Sequence, residues 1–360
     1  MVNDDNINVL FTKQIPPIVF IPDYQEVADL LEISDIPIME INCLGSPFDF
    51  VLQTMYDGSK YYFVGFDRLA ITENGIEWSY IDLPTSRPWS AACYANGKYI
   101  ITERDFRGEL YSEDGVNWQE IDSGIKCLSL AYGNGAFIGV EENNSAYYYS
   151  KDGKNWTYYD MPKANDSWYG WNAVAYGNGI FVLVNTVEPY VAWSEDGLNW
   201  TVEYVPNSLL PLFVVFTGKQ FIAMTPDDTR GLMFSDNGID WTVKDLKQEL
   251  EEGIVEKGSI GFSDNRVVIF DRPGKFCLYS DDKCETWTKV PLKGLSQDMI
   301  VQYGNNGFIA LGQDTRVDHK NEYVFTLSDD GLIWEQEHET NDADAQVRAY
   351  CAANETNYWF

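Results

Sequence analysis

The heptapeptide Ser194-Glu-Asp-Gly-Leu-Asn-Trp200 lies between two strand-like stretches, Tyr190-Val-Ala-Trp193 before it and Thr201-Val-Glu-Tyr-Val205 after it. Its residues are those of a tight turn joining two strands of a hairpin. The Ser and Asp oxygens accept hydrogen bonds from backbone amides inside the turn, and Gly supplies a positive φ that other residues resist. The Trp is expected to bury against its own hairpin.

The pattern, Ser or Thr, any residue, Asp or Asn, Gly, two residues, Trp, occurs seven times. The first copy runs from Thr72 to Trp78. The others carry Ser112, Asp114 and Trp118; Ser150, Asp152 and Trp156; Ser194, Asp196 and Trp200; Ser235, Asn237 and Trp241; Ser280, Asp282 and Trp287; and Ser328, Asp330 and Trp334. The sixth is one residue longer and has Cys284 in the Gly place. Successive tryptophans are 40, 38, 44, 41, 46 and 47 residues apart, the size of a four-stranded propeller blade.

Upstream of each turn is a second signature, an apolar strand, a Gly/Asn turn and another apolar strand, clearest in Ala175-Tyr-Gly-Asn-Gly-Ile-Phe-Val-Leu-Val184. It recurs at 55–64, 93–102, 131–140, 215–224, 261–270 and 302–311, and an eighth copy, 350–360, ends the chain. An open ring of sheets would leave exposed strand edges. Completing the eighth hairpin with N-terminal strands at 8–12 and 18–21 predicts a single all-β domain, 1–360, an eight-bladed propeller of four-stranded antiparallel blades; seven blades is the alternative. The surplus, about 22–48, is expected to be an irregular or helical insertion, with a capping box at Asp23-Tyr-Gln-Glu26.

The turn resembles the Asp box, or BNR repeat, of sialidase-like β-propellers, and the stretch from Ser280 to Trp287 matches that repeat's length. In that family the boxes lie opposite the active site and hold the blades together. The resemblance therefore implies a structural role for the residues of the seven turns and no catalysis.

The chain has 360 residues, 25 Lys plus Arg, 56 Asp plus Glu and a formal charge of -31. That charge repels phosphate backbones and anionic headgroups, which argues against nucleic acid as a partner. No apolar run is long enough to span a bilayer, so no membrane insertion is expected. The absence of a secretory signal predicts a cytoplasmic protein, with particle association or a dedicated export route left open. Two histidines, His319 and His338, cannot build a histidine metal cage, and the acidic turns lack the D-x-D-x-D-G spacing of a calcium loop. No metal or cofactor is assigned. The six cysteines read as buried thiols, with a bridge between Cys277 and Cys284 as the one conceivable disulfide.

A binding site is expected on the face opposite the turns, where the second-to-third-strand and interblade connections meet. Arg68, Arg104, Arg107, Arg230, Arg272 and Arg316 fall there, most beside a carboxylate. They either pair locally and hold the loops or converge on an anionic ligand. Trp89, Trp168 and Trp171 are candidates to stack on a sugar, with packing between blades as the plainer role. Function therefore reads as a noncatalytic propeller recognising a glycan or a protein, within a bacterial or phage assembly as one setting. The alternatives are a glycoside hydrolase, sialidase-like or with paired carboxylates, and an acidic scaffold for a protein partner. No residue is assigned to catalysis.

Overall fold

The computed structural model describes residues 53–339, apart from 76, 104–107, 142–145, 164–169, 225–230, 247–259, 264, 271–275, 292–296, 305–306, 314–322 and 332–334. All of them fall within one compact unit, 41–360. They form seven four-stranded antiparallel sheets, each built from four consecutive strands in sequence order. The blades span 53–82, 89–121, 129–160, 171–204, 213–245, 260–291 and 297–339.

Blade 4 shows how the pattern is read out. Its strands are Trp171–Gly177, Ile180–Asn185, Tyr190–Ser194 and Thr201–Tyr204. The second strand is buried at every position because neighbouring blades cover both faces of the sheet, so it is an apolar run rather than an alternation. The fourth strand lies at the rim and is exposed or half-buried throughout. In every blade the repeat turn joins the third and fourth strands, as the sequence predicts.

The turn's chemistry is local. Ser194 Oγ accepts from the Gly197 amide at 2.9 Å, and Asp196 Oδ1 accepts from Leu198 and Asn199 at 2.9 and 2.8 Å. The Trp indoles of blades 1, 2 and 5 donate to the turn Gly carbonyl, whereas Trp156 reaches Glu109 of blade 2. Gly197 has φ +71°, and a Cβ there would lie 2.6 Å from Ile138 Cδ1 of blade 3. Glycine is thus required both by the turn and by the close approach of the preceding blade.

That approach repeats round the ring and sets the blade number. Gly115 abuts Tyr62 of blade 1, Gly153 abuts Ile100 of blade 2, Gly238 abuts Val182 of blade 4 and Gly331 abuts Val268 of blade 6. In blade 6, Cys284 occupies the position at φ +68° and takes a hydrogen bond from Gln220 of blade 5. Gly75 of blade 1 abuts Leu327 and Ile309 of blade 7, Thr54 bonds Gln302, and the Tyr61 hydroxyl donates to the Gly304 carbonyl. Blade 1 therefore packs directly on blade 7.

The ring closes at seven blades, and the eight-bladed expectation is incorrect. Blade 1 has four strands of its own from Gln53 onward, so it borrows none from either terminus, and no gap remains between blades 1 and 7 for an eighth sheet. The segments expected to form that sheet, 8–12, 18–21 and 350–360, lie outside the described residues, as do 22–48 and Trp334. The hairpin disulfide is also absent: Cys277 and Cys284 are both buried thiols. The Cys277 thiol lies against the Gly331 carbonyl and the Cys284 thiol against Gln220.

Candidate functional site

The four-strand blade places the second-to-third-strand and interblade connections on the face opposite the repeat turns. Of the six predicted arginines only Arg68 lies among the described residues, and it and the interblade Arg87 both meet local carboxylates. Arg68 Nε lies 3.5 Å from Asp67 Oδ1 and its Nη2 lies 3.8 Å from Asp82 Oδ1. Arg87, in the connection between blades 1 and 2, pairs with Glu120. Arg104, Arg107, Arg230, Arg272, Arg316 and Trp168 lie outside the described residues.

Trp89 and Trp171 are only 2% and 0% exposed. Their indoles donate to the backbone carbonyls of Phe66, at 2.9 Å, and Pro162, at 2.7 Å. Trp89 thus spends its polar atom on the second-to-third-strand connection of blade 1 and Trp171 on the connection between blades 3 and 4, and both rings are packed among neighbouring segments rather than open to solvent.

The surface that sequence reasoning missed lies on blade 4 and the connection that follows it. Val187, Tyr204, Leu210 and Leu212 are 57%, 60%, 37% and 39% exposed, half of the large exposed hydrophobics among the described residues. Val187 belongs to the second-to-third-strand connection. Tyr204 ends the rim strand, and the two leucines lie in the connection to blade 5. The segments touch: the Val205 amide donates to the Pro189 carbonyl at 2.8 Å, and the Tyr190 and Tyr204 rings meet edge-on at 5.6 Å.

The connection is held in a costly shape. Leu209 packs where Gly231 has no side chain, a Cβ there falling 2.1 Å from Leu209 Cδ1. Ser208 Oγ contacts Met233 Sδ at 3.4 Å, and the Leu212 amide donates to the Met224 carbonyl at 3.0 Å. Pinned at both ends, the chain reverses at Leu210, which takes φ +55°, after Asn207 at φ +58°. A left-handed leucine is an uncommon, strained residue, and such strain gathers at functional sites. Here it keeps an apolar side chain outward.

Charge sharpens the picture. From 164 to 218 the chain has no Lys, Arg or His but carries Asp166, Glu188, Glu195, Asp196 and Glu203. Among the described residues no ion pair reaches Glu188, Glu195 or Glu203. Of these acids, Glu188 and Glu203 adjoin the exposed apolar groups, whereas Glu195 and Asp196 belong to the repeat turn on the opposite face and Asp166 lies outside the described residues.

A different carboxyl is enclosed between blades 2 and 3. Glu109 is 0% exposed; its Oε2 accepts from the Trp156 indole at 3.0 Å, and its Oε1 has no partner among the described residues. Burial pushes its pKa up to about 9, the Trp156 hydrogen bond opposing the shift. Cys127 is buried alongside and its thiol is likewise pushed up by desolvation. Among the described residues no group of three or more His, Cys, Asp or Glu side chains is arranged to hold a metal.

The sequence matches no family profile and no curated protein. Solved structures do match. Virginiamycin B lyase from Staphylococcus aureus has a TM-score of 0.60 at 10% identity, covering 79% of this chain and 96% of its own. YCF48 bound to D1 peptide has a TM-score of 0.55 at 18% identity, covering 75% and 92%. The Cps50 (Swd1) β-propeller domain of Myceliophteria thermophila has a TM-score of 0.58 at 8% identity, covering 77% and 96%. The chain shares the β-propeller fold with them. At these identities the similarity extends to the fold alone.

Proposed function

We propose that the chain is a noncatalytic interaction propeller, of the Asp-box type, that docks a protein through the face opposite its repeat turns. The observation that carries this reading is the set of exposed apolar side chains Val187, Tyr204, Leu210 and Leu212, of which Leu210 is presented by a left-handed backbone. Exposed apolar side chains on a rigid scaffold mark recognition surfaces, and Val, Leu and Tyr at such positions offer protein contacts rather than acid–base or nucleophilic groups. The YCF48 structure, with its bound peptide, supports protein recognition as a use of this fold. A glycan is the less favoured ligand because Trp89 and Trp171 are committed to packing.

The test pairs a glycan array with chemical crosslinking and mass spectrometry of the full chain in a lysate of its native cells. The expected result is a blank array and a reproducible protein crosslinked to the loop face. Saturable glycan binding without a crosslinked protein overturns the reading.

A further inference from the structure

Two properties of blade 4 coincide, and each restricts what can sit there. The first is apolar area that water is left to cover. Tyr204, Leu210 and Leu212 follow the chain from the rim strand of blade 4 to the start of the first strand of blade 5, and Val187 lies in the adjoining connection, which meets that chain where the Val205 amide donates to the Pro189 carbonyl. A partner gains by covering this apolar area, and a Tyr beside aliphatic groups is the composition of an interface anchor.

The second is the sign of the field around it. These residues lie in the 55-residue stretch 164–218 with no Lys, Arg or His. In the repeat turns of blades 2, 5 and 6 carboxylates meet cations: Asp281 grips Arg266 at 2.7 Å, Glu113 meets Lys154 at 3.4 Å and Asp236 meets Lys283 at 3.0 Å. Glu188 flanks Val187, and Glu203 flanks Tyr204, with no such cation among the described residues. An acidic or neutral segment would leave these carboxylates uncompensated, whereas Lys or Arg beside apolar groups satisfies both features at once. A second copy of the chain also carries -31 and is repelled.

We infer that the loop face of blade 4 is a docking surface for a protein segment combining bulky apolar side chains with Lys or Arg. The inference rests on the protein-binding reading above and names the partner's chemistry.

A random peptide library displayed on phage is selected on the immobilised full chain. Binding of the selected peptides, made synthetically, is then followed by fluorescence anisotropy at about 50 and about 300 mM salt. The expected peptides combine Lys or Arg with Leu, Ile, Phe or Trp. Their affinity falls about tenfold or more in a Val187→Ser, Tyr204→Ser, Leu210→Gln variant. It also falls in a Glu188→Gln, Glu203→Gln variant, and it weakens as salt rises. Both variants alter exposed or half-exposed positions and are expected to melt within about 2 °C of the parent. Peptides that are acidic or neutral overturn the inference, as do peptides whose affinity neither variant changes; in those cases protein binding stands and only this surface falls. Retention of no peptide at all also overturns it. If that result comes with saturable binding on the glycan array, the broader reading falls as well.

Discussion

The repeat turns and the loop face of blade 4 are both acidic, yet their carboxylates do opposite work. In the turns each Asp is wrapped by its own backbone. Asp114 accepts from Val116 and Asn117, Asp152 from Lys154 and Asn155, and Asp196 from Leu198 and Asn199. Those amides hold the carboxyls well below the usual carboxylate range, against some desolvation, which is the largest single influence at Asp152. On blade 4, Glu188 and Glu203 have no comparable cradle among the described residues and flank exposed apolar groups. A net charge of -31 therefore contains acids spent on the repeat turns and, among the described residues, acids at the surface with no such bonds.

The largest expected effect extends this contrast to a third acid, Glu109, which is buried with one oxygen unpartnered. Its folded pKa is raised to about 9. Below the carboxylate range both folded and unfolded chains are protonated there and its contribution is fully present. As pH rises toward 9 only the folded chain keeps the proton, so stability is lost at roughly 1.4 kcal/mol per pH unit. Glu109→Gln is expected to remove that slope, gaining on the parent steadily between about pH 5 and pH 9. Guanidinium midpoints of both proteins at three pH values measure it; parallel pH profiles would mean that Glu109 is ionised in place.

Next in size is the contact between a turn and the preceding blade. Gly238 has φ +77°, and a Cβ there would lie 2.6 Å from Val182 Cγ2 and 2.9 Å from Ile180 Cδ1. Gly238→Ala is expected to cost about 2–4 kcal/mol through backbone strain and overpacking. A loss below about 1 kcal/mol in denaturant titration would show that the blades slide apart easily and that the turns do not set their spacing.

The smallest effect separates charge from geometry in the turns. Blade 5 already uses Asn237, whose Oδ1 accepts from Ile239 and Asp240 at 2.9 Å each. An Asp114→Asn, Asp152→Asn, Asp196→Asn variant should therefore melt close to the parent at neutral pH. The parent's lowered pKa values stabilise it above the usual carboxylate range, and that stability is lost as pH falls below it. The variant should lose less between about pH 4 and pH 2, which thermal melts in acid would register.

Much of this was legible in sequence because the repeat turn satisfies itself. Ser194, Asp196, Gly197 and Asn199 meet each other's backbone within a few residues, so their spacing carries the structure. The cation-free stretch was also written in the sequence, but without exposure it had no meaning. The arginine and tryptophan candidates were harder, since the same side chain serves a ligand or a neighbouring blade. For Trp89 and Trp171 the choice lay in carbonyls of Phe66 and Pro162, supplied by chain outside their own strands.

The sequence by itself determined the four-stranded blade, the place of its turn and the sign of the surface, because those follow from local hydrogen bonding, residue periodicity and composition. Tertiary structure alone decided the blade number and the exposure of Leu210 and its apolar neighbours. Gly75 meets Leu327 across 252 residues, and that contact closes seven blades with no room for an eighth hairpin. Leu209 finds the bare backbone of Gly231, and the chain reverses to leave Leu210 in solvent. Both outcomes depend on shape complementarity between distant segments, which no local pattern of residues encodes.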